Sequence, residues 1–295
     1  MSGTIDGLRR KIQSADDLHG VVRTMKAMAA SGITQYERSM LALDEYYRTV
    51  ELGLSAYFNT FGMGSELNGP EPGTSGPIGA IVFGSDQGLV GRFNDVVVDH
   101  AVEQLRAMKS DLKVWTVGER VRERIVEAGI PVIHAFDVPA SVKAVAPLVG
   151  QLLLESGIRQ AGEGLERVHV FYNQPAPAAQ YKPVSLRLLP FDASWIQDVA
   201  QVQWPTKVPP EVLGNDRGTI RWLLYEYLFI SLYRACAGSI TSENASRLAA
   251  MQRADRNINE LLEDLNGTFR RLRQNTIDDE LFDVVAGFTM QKGRR

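Results

Sequence analysis

The fold is decided by a long amphipathic stretch, IDGLRRKIQSADDLHGVVRTMKAMAAS, residues 5–31. Apolar side chains recur in it at steps of three and four residues, which average about 3.5, the period of a coiled coil. The pattern continues to residue 57 without a proline, at Ile5, Leu8, Ile12, Ala15, Leu18, Val22, Met25, Ala29, Ile33, Tyr36, Met40, Leu43, Tyr47, Val50, Leu54 and Tyr57. Globular helices average about 12 residues. A helix of about 53 residues would be a rod roughly 80 Å long.

The middle of the chain follows a different pattern. A breaker-rich segment, NGPEPGTSGP at residues 68–77, indicates a linker. Short apolar runs then alternate with helix-like segments, which indicates βαβ units and a mainly parallel sheet. The predicted strands are residues 78–83, 113–118, 131–136, 168–172 and 184–188, and the predicted helices are residues 93–108, 119–128 and 141–156.

A second long helix is predicted after the proline-rich segment at residues 204–210. Residues 218–288 contain no proline, and apolar residues again recur at steps of three and four. This helix could approach about 100 Å in length. Its stripe consists of Leu248, Met251, Ala254, Ile258, Leu262, Leu265, Phe269, Leu272, Ile277, Leu281, Val285 and Phe288.

The two predicted rods need a surface on which to bury their stripes. Strands rarely exceed ten residues, so a small sheet is too short to cover either rod. Pairing of the rods as an antiparallel coiled coil solves this problem. We therefore predict an α/β fold in which a Rossmann-like small parallel-sheet domain is inserted between two long terminal helices. The predicted domains are residues 1–60 (coiled-coil helix), 77–200 (α/β) and 212–290 (coiled-coil helix).

Composition excludes several functional classes. The chain has 295 residues, a net charge of −3 and a pI near 5.9, unlike the strongly basic nucleic-acid binders. The single cysteine, Cys236, excludes an intrachain disulfide and suits a reducing compartment. The most apolar stretch, residues 222–230, is interrupted by Glu226 and falls short of the roughly 20 residues that span a bilayer. We expect no direct insertion into a membrane.

The candidate catalytic motifs are weak. Gly84, Gly88 and Gly91 follow the first predicted strand at G-x-x-x-G-x-x-G spacing, which favours a tight turn over the G-x-G-x-x-G dinucleotide site. No Walker pattern occurs, and Ser85-Asp86 lacks the G-x-S-x-G context of a hydrolase. The histidines are scattered without metal-ligand spacing, at His19, His100, His134 and His169. We expect no catalytic residue, no cofactor and no metal.

Four motifs together resemble the gamma subunits of F-type rotary ATP synthases, with this chain as a divergent member. Residues 8–14 (LRRKIQS) with 23–31 (RTMKAMAAS) resemble the N-terminal helix of the family. Residues 85–91 (SDQGLVG) are similar to its Ser-Asp-Arg-Gly-Leu-Cys-Gly turn. Residues 243–251 (ENASRLAAM) and 273–281 (RQNTIDDEL) resemble its C-terminal helix. The motifs occur in family order and at family spacing over nearly the whole chain.

The resemblance implies a non-catalytic rotor shaft that couples ion flow through a membrane ring to conformational change in a catalytic hexamer. The implied partners are the alpha and beta subunits, the epsilon subunit and the membrane ion-carrier (c) ring, with no nucleic acid. The implied location is the cytoplasmic face of a bacterial or archaeal plasma membrane, in a proton- or sodium-transporting complex. The sequence departs from the family at Gln87, where the family has Arg, at Val90, where it has Cys, and at Asp16-Asp17, where Lys-Asn is frequent.

The resemblance also implies partner-binding residues. Met25 matches a residue that faces the torque-bearing loop of a beta subunit, although a plain core methionine is the alternative. Arg273 and Gln274 match a pair that hydrogen-bonds a loop of one catalytic subunit, for which the planar, two-donor guanidinium is suited. Their alternative is a solvated helix face beside Arg270 and Arg271. At the end of the helix an apolar stripe is expected to turn in an apolar sleeve: Phe282, Val284, Val285, Phe288 and Met290.

Two other functions remain open from the residues alone. The first is an enzyme built on the α/β domain, with helical arms for oligomerisation, for which nucleotide binding by the isolated chain would be evidence. The second is a coiled-coil scaffold unrelated to ATPases, for which co-purification with unrelated partners would be evidence.

Overall fold

The chain is described by a computed structural model that covers residues 5–62, 77–108, 110–157, 165, 167–177, 181–191, 193–208, 210–212 and 217–292. At residues 193, 217 and 286–292 it describes the backbone alone. The predicted linker at residues 68–77 lies outside these ranges apart from Pro77.

Within the described ranges, helices and strands follow in the predicted order. They are α1 (Ile5–Phe61), β1 (Ile78–Phe83), α2 (Phe93–Ala107), β2 (Leu112–Val117), α3 (Glu119–Glu127), β3 (Val132–Phe136), α4 (Val142–Glu155), β4 (Arg167–Gln174), β5 (Lys182–Leu189), α5 (Ala193–Ala200) and α6 (Arg217–Lys292). Helix α5 was not predicted. The rest agrees with the predicted fold class, an α/β sheet domain between two long terminal helices, which is confirmed. The domain limits themselves stay a prediction.

Contacts along the backbone divide the chain into two units. The first consists of residues 1–28 and 248–295, and the second of residues 29–247. Helices α1 and α6 each contribute a segment to both units.

The first unit is an antiparallel helix pair. Its core is formed by Val22 of α1 with Met251 and Ile258 of α6. Nearer the start of α1, the guanidinium of Arg9 lies 5.8 Å from the centre of the Phe269 ring. Residue numbers therefore rise along one helix as they fall along the other.

Buried positions in α1 recur every seven residues, as a coiled coil requires. Leu18 is the exception, because it was predicted in the stripe and its side chain is 54% exposed. The next residue, His19, occupies the contact instead, with a side chain that is 13% exposed and bonded to Asp255 of α6. The prediction for Leu18 is wrong for this reason. The buried heptad positions are Leu8, Ala15, Val22, Ala29, Tyr36, Val50 and Tyr57. Leu43, at the heptad position between Tyr36 and Val50, is partly buried.

The second unit is built on a five-stranded sheet in the order β3-β2-β1-β4-β5. Strand β1 pairs parallel with β2 and β4, β2 pairs parallel with β3, and β5 is antiparallel to β4. Alternate residues of β1 point to opposite faces. Ala80 and Val82 pack against α2 and α3, whereas Ile81 and Phe83 pack in the core that includes α4 and α6. The sheet therefore lies between two helical layers.

In this unit the segments of α1 and α6 also pack against each other. Asp44 of α1 pairs with Arg234 of α6 at 3.2 Å, and the Tyr46 hydroxyl donates to Glu226 at 2.6 Å. At Gly32 the helices approach closely, since an added Cβ atom would lie 2.9 Å from Asn244 Nδ2. Helix α5 is held by a separate apolar cluster, through Ile196 and Val199, with the end of α1 and the start of α6.

Candidate functional site

The C-terminal part of α6 carries an exposed apolar surface. Among the predicted contact residues, Phe282 is 71% exposed and Val285 is 54% exposed. The exposed fractions of Ile277, Leu281 and Val284 are similar. The side chains of Phe288 and Met290 lie outside the described residues. An apolar surface of this kind on one helix marks an interaction site.

Arg273 and Gln274 lie on α6 between the buried seam and this surface. Both side chains are exposed, one and two residues after the partly buried Leu272. The planar guanidinium of Arg273 is therefore accessible to an oxygen acceptor on another molecule.

Met25 lies at the edge of the seam in the first unit. Its side chain is partly buried and packs against the cluster of Val22, Met251 and Ile258. Part of the Met25 side chain therefore contacts the core, and the rest is exposed to solvent. The role proposed for it in partner binding stays a prediction.

Sequence reasoning missed the exposed apolar residues beside Met25. Leu18, Val21 and Met28 are 54%, 55% and 69% exposed. They lie seven and four residues before Met25 and three residues after it, so the four share one face of the helix. The signal was present as apolar residues at steps of three and four along α1, one of which, Leu18, was assigned to the buried stripe.

A groove of about 470 Å³ in the first unit adjoins this face. Apolar side chains of both helices form its floor, and two basic residues of α1 line it as well. The groove is lined by Arg10, Lys11, Ser14, Ala15, Leu18, Leu261 and Leu265.

A polar clamp joins the two helices of the first unit. The Asp255 carboxylate of α6 accepts from Lys26 Nζ at 2.7 Å and contacts His19 Nε2 at 2.8 Å. Lys26 and, to a lesser extent, His19 lower the pKa of Asp255 below its ordinary value. The clamp fixes which turns of the helices lie opposite each other, as polar residues in coiled-coil seams do. The contact between these residues could not be predicted from the sequence alone.

The glycine-containing turn after β1 carries a side chain, Asp86, that binds the backbone N–H groups around it. One carboxylate oxygen of Asp86 accepts from the backbone N–H of Glu119, at the start of α3, at 3.0 Å. The other accepts from the N–H of Val138 at 2.9 Å. Helix N-termini attract anions, and here a side chain fills the place at which a phosphate would bind.

The glycines of this region serve packing and backbone geometry. A Cβ atom on Gly84 would lie 2.4 Å from Val121 Cβ. Gly91 has a φ of 60°, which glycine adopts without strain. Leu89 in the same turn has a φ of 64° and is 62% exposed, an unusual conformation for a leucine. Close packing at Gly84 and backbone conformation at Gly91 therefore account for these two glycines.

Within the described ranges, no group of three or more His, Cys, Asp and Glu side chains could hold a metal ion. In that part of the chain, no helix is long and apolar enough to cross a bilayer. Cys236 is buried, and burial raises the pKa of its thiol.

Comparison with protein families gives one match over nearly the whole chain. The family model described as ATP synthase matches residues 4–289. It therefore covers both terminal helices and the α/β sheet between them.

Curated relatives carry the description ATP synthase gamma chain. The protein of Clostridium pasteurianum is 24% identical, over 99% of this chain and 100% of the relative. That of Clostridium botulinum strain Hall is also 24% identical, over 97% of this chain and 98% of the relative.

Solved structures share the fold. A chain of the Euglena gracilis mitochondrial ATP synthase, in a structure of OSCP, F1 and c-ring, has a TM-score of 0.62 at 16% identity and covers 100% of this chain and 97% of its own. A chain of the rotor of the same enzyme has a TM-score of 0.60 at 16% identity, over 94% of this chain and 100% of its own. One from the central stalk and c-ring of Tetrahymena thermophila has a TM-score of 0.53 at 21% identity, over 79% of this chain and 99% of its own.

Proposed function

The chain belongs to the ATP synthase gamma-chain family, and from this premise we propose that it is the rotor shaft that couples ion flow to catalysis. In this proposal a membrane c-ring turns the shaft, and the shaft changes the conformation of an alpha–beta catalytic hexamer. The chain itself carries no catalytic residue.

The observation that carries this proposal is the exposed apolar end of α6. Leu281, Phe282, Val284 and Val285 expose more than half of their side chains. Such a surface is costly in water and is favoured where a partner covers it. A sleeve formed by the hexamer would cover all sides of the helix while making no fixed bond to it, so that the helix could turn.

The antiparallel helix pair supports the same role. Two helices form an asymmetric shaft, so three surrounding partners would each meet a different face. The polar clamp of Asp255 with Lys26 and His19 opposes sliding of one helix along the other. A shaft needs this stiffness to transmit torque.

Particular residues are proposed to contact the hexamer. Met25, together with the exposed Leu18, Val21 and Met28, offers an apolar face to a beta-subunit loop. Arg273 and Gln274 offer hydrogen-bond donors to a loop of one catalytic subunit. Phe282, Val285 and Phe288 belong to the surface enclosed by the sleeve.

The proposed partners on the membrane side are the c-ring and an epsilon subunit. The solved relatives come from assemblies described as rotor, F1 with c-ring, and central stalk with c-ring. We place the chain at the cytoplasmic face of a bacterial or archaeal plasma membrane, as a peripheral part of a proton- or sodium-transporting complex. No nucleic acid is involved.

The enzyme alternative receives no support from the turn after β1. In open α/β sheets, ligands bind outside the carboxyl ends of strands where the strand order reverses. In this sheet the strand order reverses between β1 and β4. At that point the Ser246 hydroxyl of α6 donates to the carbonyl of Val90 at 2.5 Å. Asp86 fills the adjacent helix N-terminus.

The test uses the assembled complex with its own alpha and beta subunits and c-ring in vesicles. ATP hydrolysis should drive ion pumping in the complete complex and should not do so when this chain is left out. Equal coupling without the chain would refute the shaft role.

A double variant tests the proposed contact on α6. Arg273→Ala with Gln274→Ala should lower the ATP hydrolysis rate by about 10- to 100-fold, since a charged hydrogen bond contributes about 1.5–3 kcal/mol. Arg271→Ala is the matched control, because it removes an equal charge and points about 200° around the helix from Arg273. Unchanged hydrolysis in the double variant, or an equal loss in the control, would remove the pair from the contact.

A further inference from the structure

Both terminal helices are hydrogen-bonded to loops at the carboxyl edge of the sheet. The Ser246 hydroxyl of α6 donates to the carbonyl of Val90, in the β1–α2 turn, at 2.5 Å. The Tyr36 hydroxyl of α1 donates to the carbonyl of Pro139, in the β3–α4 loop, at 3.0 Å. Both bonds are buried, and each joins residues more than 100 positions apart in the chain.

The two loops that accept these bonds are themselves joined by Asp86. Its carboxylate lies in the β1–α2 turn and accepts from the N–H of Val138, the residue before Pro139. The same turn is braced inside by Asn94, whose side chain bonds both the N–H and the hydroxyl of Ser85 at 3.0 and 2.8 Å. The turn and the loop therefore form one hydrogen-bonded body.

The side of α6 that meets this body also carries a buried ion pair. Arg247 contacts Glu243 at 2.6 Å, and their side chains are 14% and 7% exposed. Ser246 lies between them in the chain. The pair links positions i and i+4 of one helix, so it holds the Arg247 and Glu243 side chains beside Ser246.

We propose that these contacts form the joint through which torque passes between the α/β sheet and the two shaft helices. This inference rests on the proposed rotor function. Apolar packing, which also joins the sheet to both helices, is non-directional. Hydrogen bonds weaken steeply when their angle falls below about 120°. Ser246 and Tyr36 therefore fix the angular position of the sheet on α6 and α1, and they act as positioning residues.

The experiment compares loaded and unloaded turnover in the vesicle-reconstituted complex. The variants are Ser246→Ala, Tyr36→Phe and the double variant. Each lost bond should raise the frequency of slipping at the joint about fivefold, as expected for a net hydrogen-bond contribution of about 1 kcal/mol. Hydrolysis with an uncoupler present, where no load acts, should stay within about twofold of wild type. Ions pumped per ATP against a gradient should fall, and most strongly in the double variant.

Two controls separate a joint from a general loss of structure. Ser231→Ala deletes the same atom from α6, but that hydroxyl donates to Tyr227 within the same helix. It should leave the pumping ratio unchanged. Ser246→Thr retains a hydroxyl and should restore pumping relative to Ser246→Ala.

The outcomes distinguish this inference from the function on which it rests. Wild-type pumping ratios in the double variant would overturn the joint and leave the shaft role intact. Equal losses of loaded and unloaded turnover would also overturn it, because they indicate a structural defect. A wild-type complex that hydrolyses ATP without pumping would overturn both proposals.

Discussion

Replacing Gly32 by alanine tests the close approach of α1 to α6. A Cβ atom at this position would lie 2.9 Å from Asn244 Nδ2, 3.1 Å from its Cγ and 3.2 Å from its Oδ1. All three atoms belong to one planar amide, so rotation about the Cβ–Cγ bond exchanges one close contact for another, and the whole amide has to move to relieve them. The amide is also held in place by a 3.0 Å bond from Nδ2 to the carbonyl of Ile240.

Two effects of opposite sign determine the result. Alanine is favoured over glycine in a helix interior by about 1 kcal/mol. Moving the Asn244 amide forfeits its hydrogen bond, which costs about 1 kcal/mol, and overpacking a close contact costs about 1–3 kcal/mol. The cost exceeds the gain. We expect Gly32→Ala to lower the free energy of unfolding by about 1–3 kcal/mol.

Gly20 provides the matched control in the same helix. No atom lies within 4 Å of a Cβ added there, so Gly20→Ala should raise the free energy of unfolding by up to about 1 kcal/mol. Urea unfolding followed by far-UV circular dichroism measures both variants. In an Asn244→Ala background, Gly32→Ala should become stabilising. If Gly32→Ala stabilises the chain as much as Gly20→Ala does with Asn244 present, the two helices are not in contact at this point.

Two further predictions concern carboxylates. The substitution Asp86→Asn turns an amide N–H toward one of the two backbone N–H groups that bind Asp86. It should lower the free energy of unfolding by about 1–3 kcal/mol. An unchanged free energy of unfolding in urea would show that the turn does not depend on Asp86. The pKa of Asp255 is lowered by Lys26 and then by His19, so its stabilising contribution is present above the ordinary value of 3.8 and is lost as pH falls through the lowered pKa. The stability difference between wild type and Asp255→Asn should therefore shrink on acidification, and a difference that grows would contradict this pairing.

The long helices could be predicted because their signal is strong and repeated. A seven-residue spacing is incompatible with strands, and it extends along α1 from Leu8 to Tyr57. The parallel strands were also predictable, since a strand buried on both faces is a continuous apolar run such as residues 78–83. Both features depend on many residues at once, so a single exception does not change the prediction.

Single positions were less predictable because they depend on contacts across the fold. Leu18 and His19 both satisfy a step of three or four from Ala15, and the contact with Asp255 selects His19. Helix α5 has eight residues and is held by packing of Ile196 and Val199 rather than by a pattern of its own. Arg273 and Gln274 could be named only from family resemblance, because their proposed partners lie outside the chain. The apolar end of α6 could also be named from its own stripe of apolar residues.

The turn after β1 shows why a motif and its function have to be argued separately. Its glycines, its strand-to-helix position and its place at the sheet edge all occur in nucleotide-binding folds. The difference lies in what occupies the edge. Asp86 bonds the backbone N–H of Glu119, and Ser246 bonds Val90. In this protein the edge of the sheet that commonly binds a ligand is in contact with helix α6 instead.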